Sequence, residues 1–351
     1  MVGPMRRMVL ILSVLGVLVA VPLVQAAVPE TPVLTSTRQD AHPAADTHAG
    51  GDDLLVFSRS RAGNRFAYDA YLRRLTSGTT NIIKLNRRGR GFAGGIDSPT
   101  VVYQQVYRSQ SDLYRYDIDT GVRSKLPAVR VNTRHWEYAP SISGDWIGFS
   151  RDIPRGRTRI VLYNQSTFVQ RILETIEANA FGYSGQVAGN WFVWTRCAKS
   201  CHVFRYNIAA RTRLRLPKPS GPGNREHYAA SVTDAGVVYA ARSARACGAS
   251  VKIVRFFGPG DPATGTVVAF LPRGRDLIVS NTRVNDDGST DVYYDRRRCA
   301  DNPAWDVYRI TDPAPRPGRS ASVDSAASST RALDSGSGKS WPFSHPGKRS
   351  R

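Results

Sequence analysis

Six short apolar runs along this chain each carry an aromatic residue at the same station, at Phe57, Tyr103, Phe149, Trp194, Tyr239 and Tyr294. Their separations are 46, 46, 45, 45 and 55 residues. A period of this length matches one small antiparallel sheet, a unit that cannot bury its own face and must stack on its neighbours. The spacing therefore predicts an all-β fold, a single β-propeller with six blades favoured and five or seven compatible. Blade starts are expected near residues 52, 92, 138, 182, 227 and 275, and the propeller over residues 52–312.

The grammar inside one repeat supports strands. Trp146-Ile147-Gly148-Phe149, then Ile160-Val161-Leu162-Tyr163, then Phe168 to Leu173 are separated by polar turns. The middle segment recurs as Leu113-Tyr114-Arg115-Tyr116, Val203-Phe204-Arg205-Tyr206 and Val307-Tyr308-Arg309-Ile310, with the alternation that period-two geometry requires. Asp119-Thr120-Gly121, Ser143-Gly144-Asp145, Ala188-Gly189-Asn190 and Asp234-Ala235-Gly236 supply turn residues. Only Ile172 to Ala180 offers a short helical candidate. The first repeat lacks an inner strand and the last lacks an outer one, so the ring is expected to close by exchange between termini. Val33-Leu34-Thr35 is one candidate for the closing strand.

The ends differ in composition. Arg6 and Arg7 precede an uncharged run from Met8 to Val24, and Val24-Gln25-Ala26 provides small residues at a cleavage site. Residues 1–26 are expected to be a signal peptide, which places the mature protein outside the cytoplasm, secreted or in the cell envelope, without a membrane span; a retained anchor is the alternative. Residues 27–51 read as a disordered linker able to donate a strand. Residues 313–351 read as a disordered Ser/Pro/Gly-rich tail ending in Lys348-Arg349-Ser350-Arg351. With 49 basic against 28 acidic residues, the chain carries a formal charge of +21, which attracts polyanions.

Four cysteines in an oxidising compartment allow three pairings. Cys247 and Cys299 fall in matching loops of adjacent repeats, which favours that pair and leaves Cys197 with Cys201. A metal reading would need thiolates from three blades to converge, and neither a metal nor a cofactor is expected. Asn285-Asp286-Asp287-Gly288-Ser289-Thr290-Asp291 has clustered oxygens but reads as a hairpin turn, because its spacing is not that of a calcium loop. Arg87-Arg88-Gly89-Arg90-Gly91-Phe92 reads as a solvated loop, with no specific nucleic-acid partner expected.

Chemistry is expected where the chain enters each blade. Arg134-His135-Trp136-Glu137-Tyr138, Phe181-Gly182-Tyr183 and Arg225-Glu226-His227-Tyr228 hold equivalent stations before the third, fourth and fifth blades. As a binding surface they contribute Arg134, His135, Trp136, Tyr138, Tyr183, Arg225 and Tyr228. As an enzyme, His135 or His227 would be the general base with Glu137 or Glu226 as partner. No nucleophile elbow, phosphate-cradling loop or zinc helix occurs.

The stretch Ala139-Pro140-Ser141-Ile142-Ser143-Gly144-Asp145-Trp146-Ile147-Gly148-Phe149, with Tyr163-Asn164 and Tyr116-Asp117, resembles the repeat of TolB-type, WD-like propellers of bacterial periplasmic and secreted proteins. That resemblance implies a propeller over about 260 residues and a setting outside the cytoplasm. Two functions follow: a non-catalytic propeller that binds a protein or an anionic envelope polymer through its rim or funnel, or a propeller lyase or hydrolase acting on a polysaccharide, lactone or peptide. They separate on whether His135, Glu137, Glu226 and His227 meet in one open channel.

Overall fold

The computed structural model describes residues 29–35, 38–49, 51–76, 79–108, 110–217, 226–243, 249–299 and 305–314, apart from the side chains of Arg65 and Glu226. Among these residues there are 24 strands and no helix, arranged in six four-stranded antiparallel sheets.

The chain opens with β1 (Thr31–Leu34). Blade one is β2 (Asp40–Thr47), β3 (Asp53–Arg61), β4 (Asn64–Thr76) and β5 (Thr79–Lys84). Blade two is β6 (Arg90–Asp97), β7 (Thr100–Tyr107), β8 (Gln110–Asp117) and β9 (Arg123–Lys125), and blade three is β10 (Glu137–Ser143), β11 (Trp146–Ile153), β12 (Arg157–Asn164) and β13 (Gln170–Ile176). Blade four is β14 (Phe181–Ala188), β15 (Trp191–Cys197), β16 (Cys201–Asn207) and β17 (Thr212–Arg215), and blade five is β18 (Glu226–Val232), β19 (Val238–Ser243), β20 (Val251–Phe256) and β21 (Thr266–Leu271). Blade six takes β22 (Arg275–Val284), β23 (Thr290–Arg298) and β24 (Asp306–Asp312), with β1 as its outermost strand. The pairing of Leu34 with Val307 and Thr31 with Arg309 closes the ring from the N-terminal side, and Val33 and Leu34 of the candidate segment lie in that strand.

The six periodic aromatics occupy the second strand of every blade, and none is more than 2% exposed. They are buried because the second strand is covered on both faces by neighbouring blades. Phe149, Val161 and Tyr163 of blade three, for example, pack with Val102 and Leu113 of blade two. This seam is the unit of stability, since each buried aliphatic or aromatic side chain contributes roughly 1.5–3 kcal/mol over leaving it in water.

Two expectations are corrected. Residues 27–51 are not simply an unfolded linker: they hold β1 and β2, so blade one starts at Asp40 rather than near residue 52. The reason is steric. Inner strands converge on the axis, where small residues suffice, and the apolar side chains that β2 buries are Ala41, Pro43, Ala44 and Ala45. The segment Ile172–Ala180 is not helical; its first part lies in β13.

Every inner strand slips register once against its neighbour, between Ala41 and Ala44, Ala93 and Ile96, Tyr138 and Ser141, Ser184 and Val187, Tyr228 and Ala230, and Val279 and Asn281. Such bulges bend a strand and leave backbone groups without ladder partners. The polar residue after the periodic aromatic meets that need from the preceding blade. Ser58 Oγ accepts from Ala93 N at 2.8 Å, Ser150 Oγ from Ser184 N at 2.8 Å, and Asp295 Oδ2 from His42 N at 3.0 Å across the closing seam.

Cys197 and Cys201 form a disulfide across the turn joining β15 and β16, the pairing left once Cys247 is matched with Cys299. Cys299 is also disulfide-bonded, while Cys247, its expected partner, lies outside the described residues. The segment Asn285–Asp291 is the β22–β23 hairpin: Asn285 N donates to Ser289 O at 2.8 Å, and Asp287 Oδ1 accepts from Ser289 N at 2.9 Å.

Candidate functional site

The six inner strands press together so closely that side chains are excluded at some points. A Cβ on Gly94 of β6 would lie 2.5 Å from Pro140 Cγ, and one on Gly185 of β14 would lie 2.4 Å from Ala230 O. The adjacent Gln186 reaches from blade four to blade six. Its Nε2 donates to Thr282 O at 3.1 Å, while its Oε1 accepts from Thr282 N at 3.0 Å and from the hydroxyls of Thr282 and Ser231. Gln186 thus clamps together two blades separated by a third. Sequence reasoning passed over it; the available signal was a long amide at a bulge where blades two, three and five carry Gly94-Gly95, Ala139 and Ala229.

The aromatic residues named from their station are inter-blade clasps. Tyr138 OH donates to Gly182 O at 3.1 Å, Tyr183 OH accepts from Ala229 N at 2.8 Å, and Tyr228 OH donates to Asp276 Oδ1 at 3.3 Å. These three bonds connect blades three to four, four to five and five to six. Burial pushes the Tyr183 phenol up to about 12, as expected for a hydroxyl used as a fixed neutral hydrogen-bonding group.

The groups named for acid–base chemistry are each engaged by neighbours of their own. Glu137 is fully buried; its Oε1 accepts from Arg151 Nε at 2.8 Å and from Thr133 Oγ1 at 2.7 Å. Arg151 in turn donates to the carbonyls of Arg130 and Val131, both at 2.8 Å. Burial pushes the Glu137 carboxyl up to about 7 against the pull of Thr133 and Arg151. His227 is buried edge-on against Phe256, with ring centroids 4.9 Å apart, and burial first, then Arg242 and His202, push it down to about 3. His135 is half-exposed and its backbone N donates to Thr133 Oγ1 at 3.2 Å. Trp136 is half-buried, with its carbonyl accepting from Asp152 N at 2.9 Å, and Arg134 is exposed. Arg225 and the Glu226 side chain lie outside the described residues. Elsewhere among the described residues a histidine does stand beside a carboxylate: His48 Nε2 is 2.9 Å from Asp119 Oδ1, and its Nδ1 is 2.6 Å from Ser98 Oγ.

No family model matches the sequence, and no curated protein matches it. Solved structures do. A protein of unknown function from Dyadobacter fermentans matches over 81% of this chain and 98% of its own, at 9% identity and a TM-score of 0.53. A TolB candidate from Agrobacterium tumefaciens matches over 52% of this chain and 82% of its own, at 15% identity and a TM-score of 0.36. The propeller domain of the Trilobed protease from Pyrococcus furiosus matches over 79% and 94%, at 10% identity and a TM-score of 0.45. The chain is a six-bladed β-propeller. Likeness at such identities concerns the fold, and propellers host unrelated functions. No helix among the described residues is long and apolar enough to cross a membrane.

The closing seam of this propeller carries a titratable group at a station that holds a hydroxyl in blades one, three and four, where Ser58, Ser150 and Thr195 follow the aromatic. Burial pushes Asp295 up to about 8. Its carboxyl therefore holds a proton more tightly in the folded chain than in the unfolded one. That contribution to stability is complete below the ordinary value of 3.8 and is lost as pH rises through about 8. Asp295→Asn, neutral throughout, is expected to raise stability at pH 9 relative to the parent by on the order of a few kcal/mol, with little gain at pH 4. Urea midpoints at the two pH values check this. An equal effect at both would show that Asp295 does not titrate in that window.

Proposed function

We propose that this protein is a non-catalytic recognition propeller acting outside the cytoplasm, which binds a protein or an anionic envelope polymer through its rim or funnel. One observation carries the reading: at the blade-entry stations Glu137 is tied through one oxygen to Arg151 and Thr133, His227 is packed against Phe256, and the tyrosines beside them join blades. What is left for a partner is surface rather than a reactive cleft, and repeat scaffolds of this kind serve recognition. The hydrophobic leader and the Cys197–Cys201 disulfide support the location. The enzyme reading has one described pair to draw on, His48, whose Nε2 lies 2.9 Å from Asp119 Oδ1 and whose Nδ1 lies 2.6 Å from Ser98 Oγ.

The test uses mature chain, residues 27–351, immobilised and exposed to fractionated envelope extract at low and then high salt. A partner retained at high salt, identified and then shown to bind the purified chain, supports the reading. Loss of every partner on raising salt shows charge attraction alone, because exposed charges are screened within about 3 Å at 1 M salt. Turnover of a polysaccharide or peptide in the eluate would replace it with the enzyme reading.

A further inference from the structure

Blade three breaks a charge rule that other blades keep. One cross-strand row runs Glu137, Arg151, Arg159 and Thr175 across β10, β11, β12 and β13. Arg151 and Arg159 stand directly opposite one another, where side chains share a face at roughly 5 Å between Cβ atoms and like charges destabilise. The same row in blade one is Asp40, Arg59 and Asp69, an arginine with a carboxylate on each side. There Arg59 meets both oxygens of Asp40, at 2.6 and 2.9 Å. At the station of Arg159, blades two and six carry Asp112 opposite Gln105 and Asp306 opposite Arg296. Blade three therefore places a guanidinium where three other blades place a carboxylate.

Glu137 offsets Arg151, and Arg159 has no carboxylate of its own among the described residues. Arg159 is half-buried, its side chain enters no ion pair or hydrogen bond with another described residue, and its Nε is buried without an acceptor. Glu137, the carboxylate of the row, has Oε1 taken by Arg151 and Thr133. Arg134 is exposed nearby without an ion pair. The half-exposed His135 feels all three guanidiniums: after burial, Arg134, Arg151 and Arg159 are what push it below its ordinary value of 6.5. A guanidinium with its fork unused matches the paired oxygens of an oxyanion better than any other common group.

We propose that Arg159, Arg134 and His135 of blade three form a binding site for an oxyanion, the phosphate, sulfate or carboxylate group of a ligand. The site rests on the reading of this surface as a recognition surface and supplies its ligand chemistry. The free guanidinium of Arg159 forms the paired contact, Arg134 adds field at the open side, and His135 reports occupancy because it sits within the same cluster. An arriving anion removes the repulsion between Arg151 and Arg159, so binding stabilises blade three as well as holding the ligand.

The test follows the imidazole C–H signals of the mature chain by NMR, with His135 assigned from His135→Gln, as pH is varied in chloride and then with sodium sulfate or sodium glucuronate added at constant ionic strength. His135 is expected to titrate below its ordinary range in chloride and to move up by about half a unit or more with a saturating anion, the other histidines staying in place. Sulfate and glucuronate as separate arms distinguish a sulfate- or phosphate-like group from a carboxylate. Arg159→Gln is expected to raise His135 in chloride and to abolish the anion-dependent movement, and Arg134→Gln, at an exposed position, to weaken it. Arg159→Gln removes a like-charge pair and should fold at least as stably as the parent, which its urea midpoint checks. Lack of movement at constant ionic strength, or equal movement in Arg159→Gln, overturns the site and leaves an adventitious ion only. Capture of a partner from envelope extract tests the function separately: a site that binds sulfate without any retained partner sinks the function alone, and a retained partner indifferent to Arg159→Gln sinks the site alone.

Discussion

Trp194→Ala is expected to lower the unfolding free energy by about 3–5 kcal/mol, the usual cost of removing a large aromatic side chain from a core. Trp194 is fully buried, stacks on Phe204 with centroids 5.3 Å apart and lies 5.9 Å from Phe192. It sits in the seam where Ile160, Leu162 and Ile176 of blade three meet blade four, so the cavity left behind opens between two rigid sheets that cannot readily collapse. A hydrogen bond goes as well: Trp194 Nε1 donates to Glu174 Oε2 at 2.6 Å, leaving that oxygen only Arg213 at 4.0 Å. Val129→Ala, at a site 86% exposed, is the control and should change stability by less than about 0.5 kcal/mol. Urea titrations with a shared slope measure both. Equal midpoints for the two variants would mean that the inter-blade seam is not where stability resides.

The second large effect is expected from removing the chain up to Thr35, and with it β1. Leu34 packs with Phe57, Tyr293 and Val307 at the seam between blades six and one, and losing such a leucine from a core costs about 2–5 kcal/mol. Glu30 is lost too, and with it the contacts to Arg296 and to Tyr294 OH. The remaining edge of β24 would present unpaired backbone groups, a template for pairing with another chain. The shortened protein should melt earlier and self-associate as concentration rises, which thermal melts and sedimentation velocity detect. A monomer with an unchanged melting temperature would show that the N-terminal strand is dispensable for closure.

Much of the fold was legible because burial on a propeller is periodic. The aromatics mark second strands, which are covered on both faces, and inner strands three to six begin at Glu137, Phe181, Glu226 and Arg275, each within a residue of the expected starts. Blade one escaped because Asp40–Thr47 has no large apolar side chain with which to announce itself. At the candidate site, Tyr138, Tyr183 and Tyr228 were recognisable by station, yet their partners Gly182, Ala229 and Asp276 lie 44, 46 and 48 residues onward. A one-dimensional pattern shows that such residues are equivalent; it does not show that each one hands a bond to the next blade.

From the sequence alone came the strand pattern, the number of blades, the short-range disulfide and the stations worth examining, all properties that depend on neighbours along the chain or on a regular repeat. Tertiary structure alone decided that Glu137 is tied to Arg151, that Gln186 spans to Thr282 at a separation of 96 residues, and that Arg159 faces another arginine instead of a carboxylate. These outcomes turn on register between strands and on the angle at which six sheets meet. A shift of one residue would reverse every face, and no local preference encodes that choice.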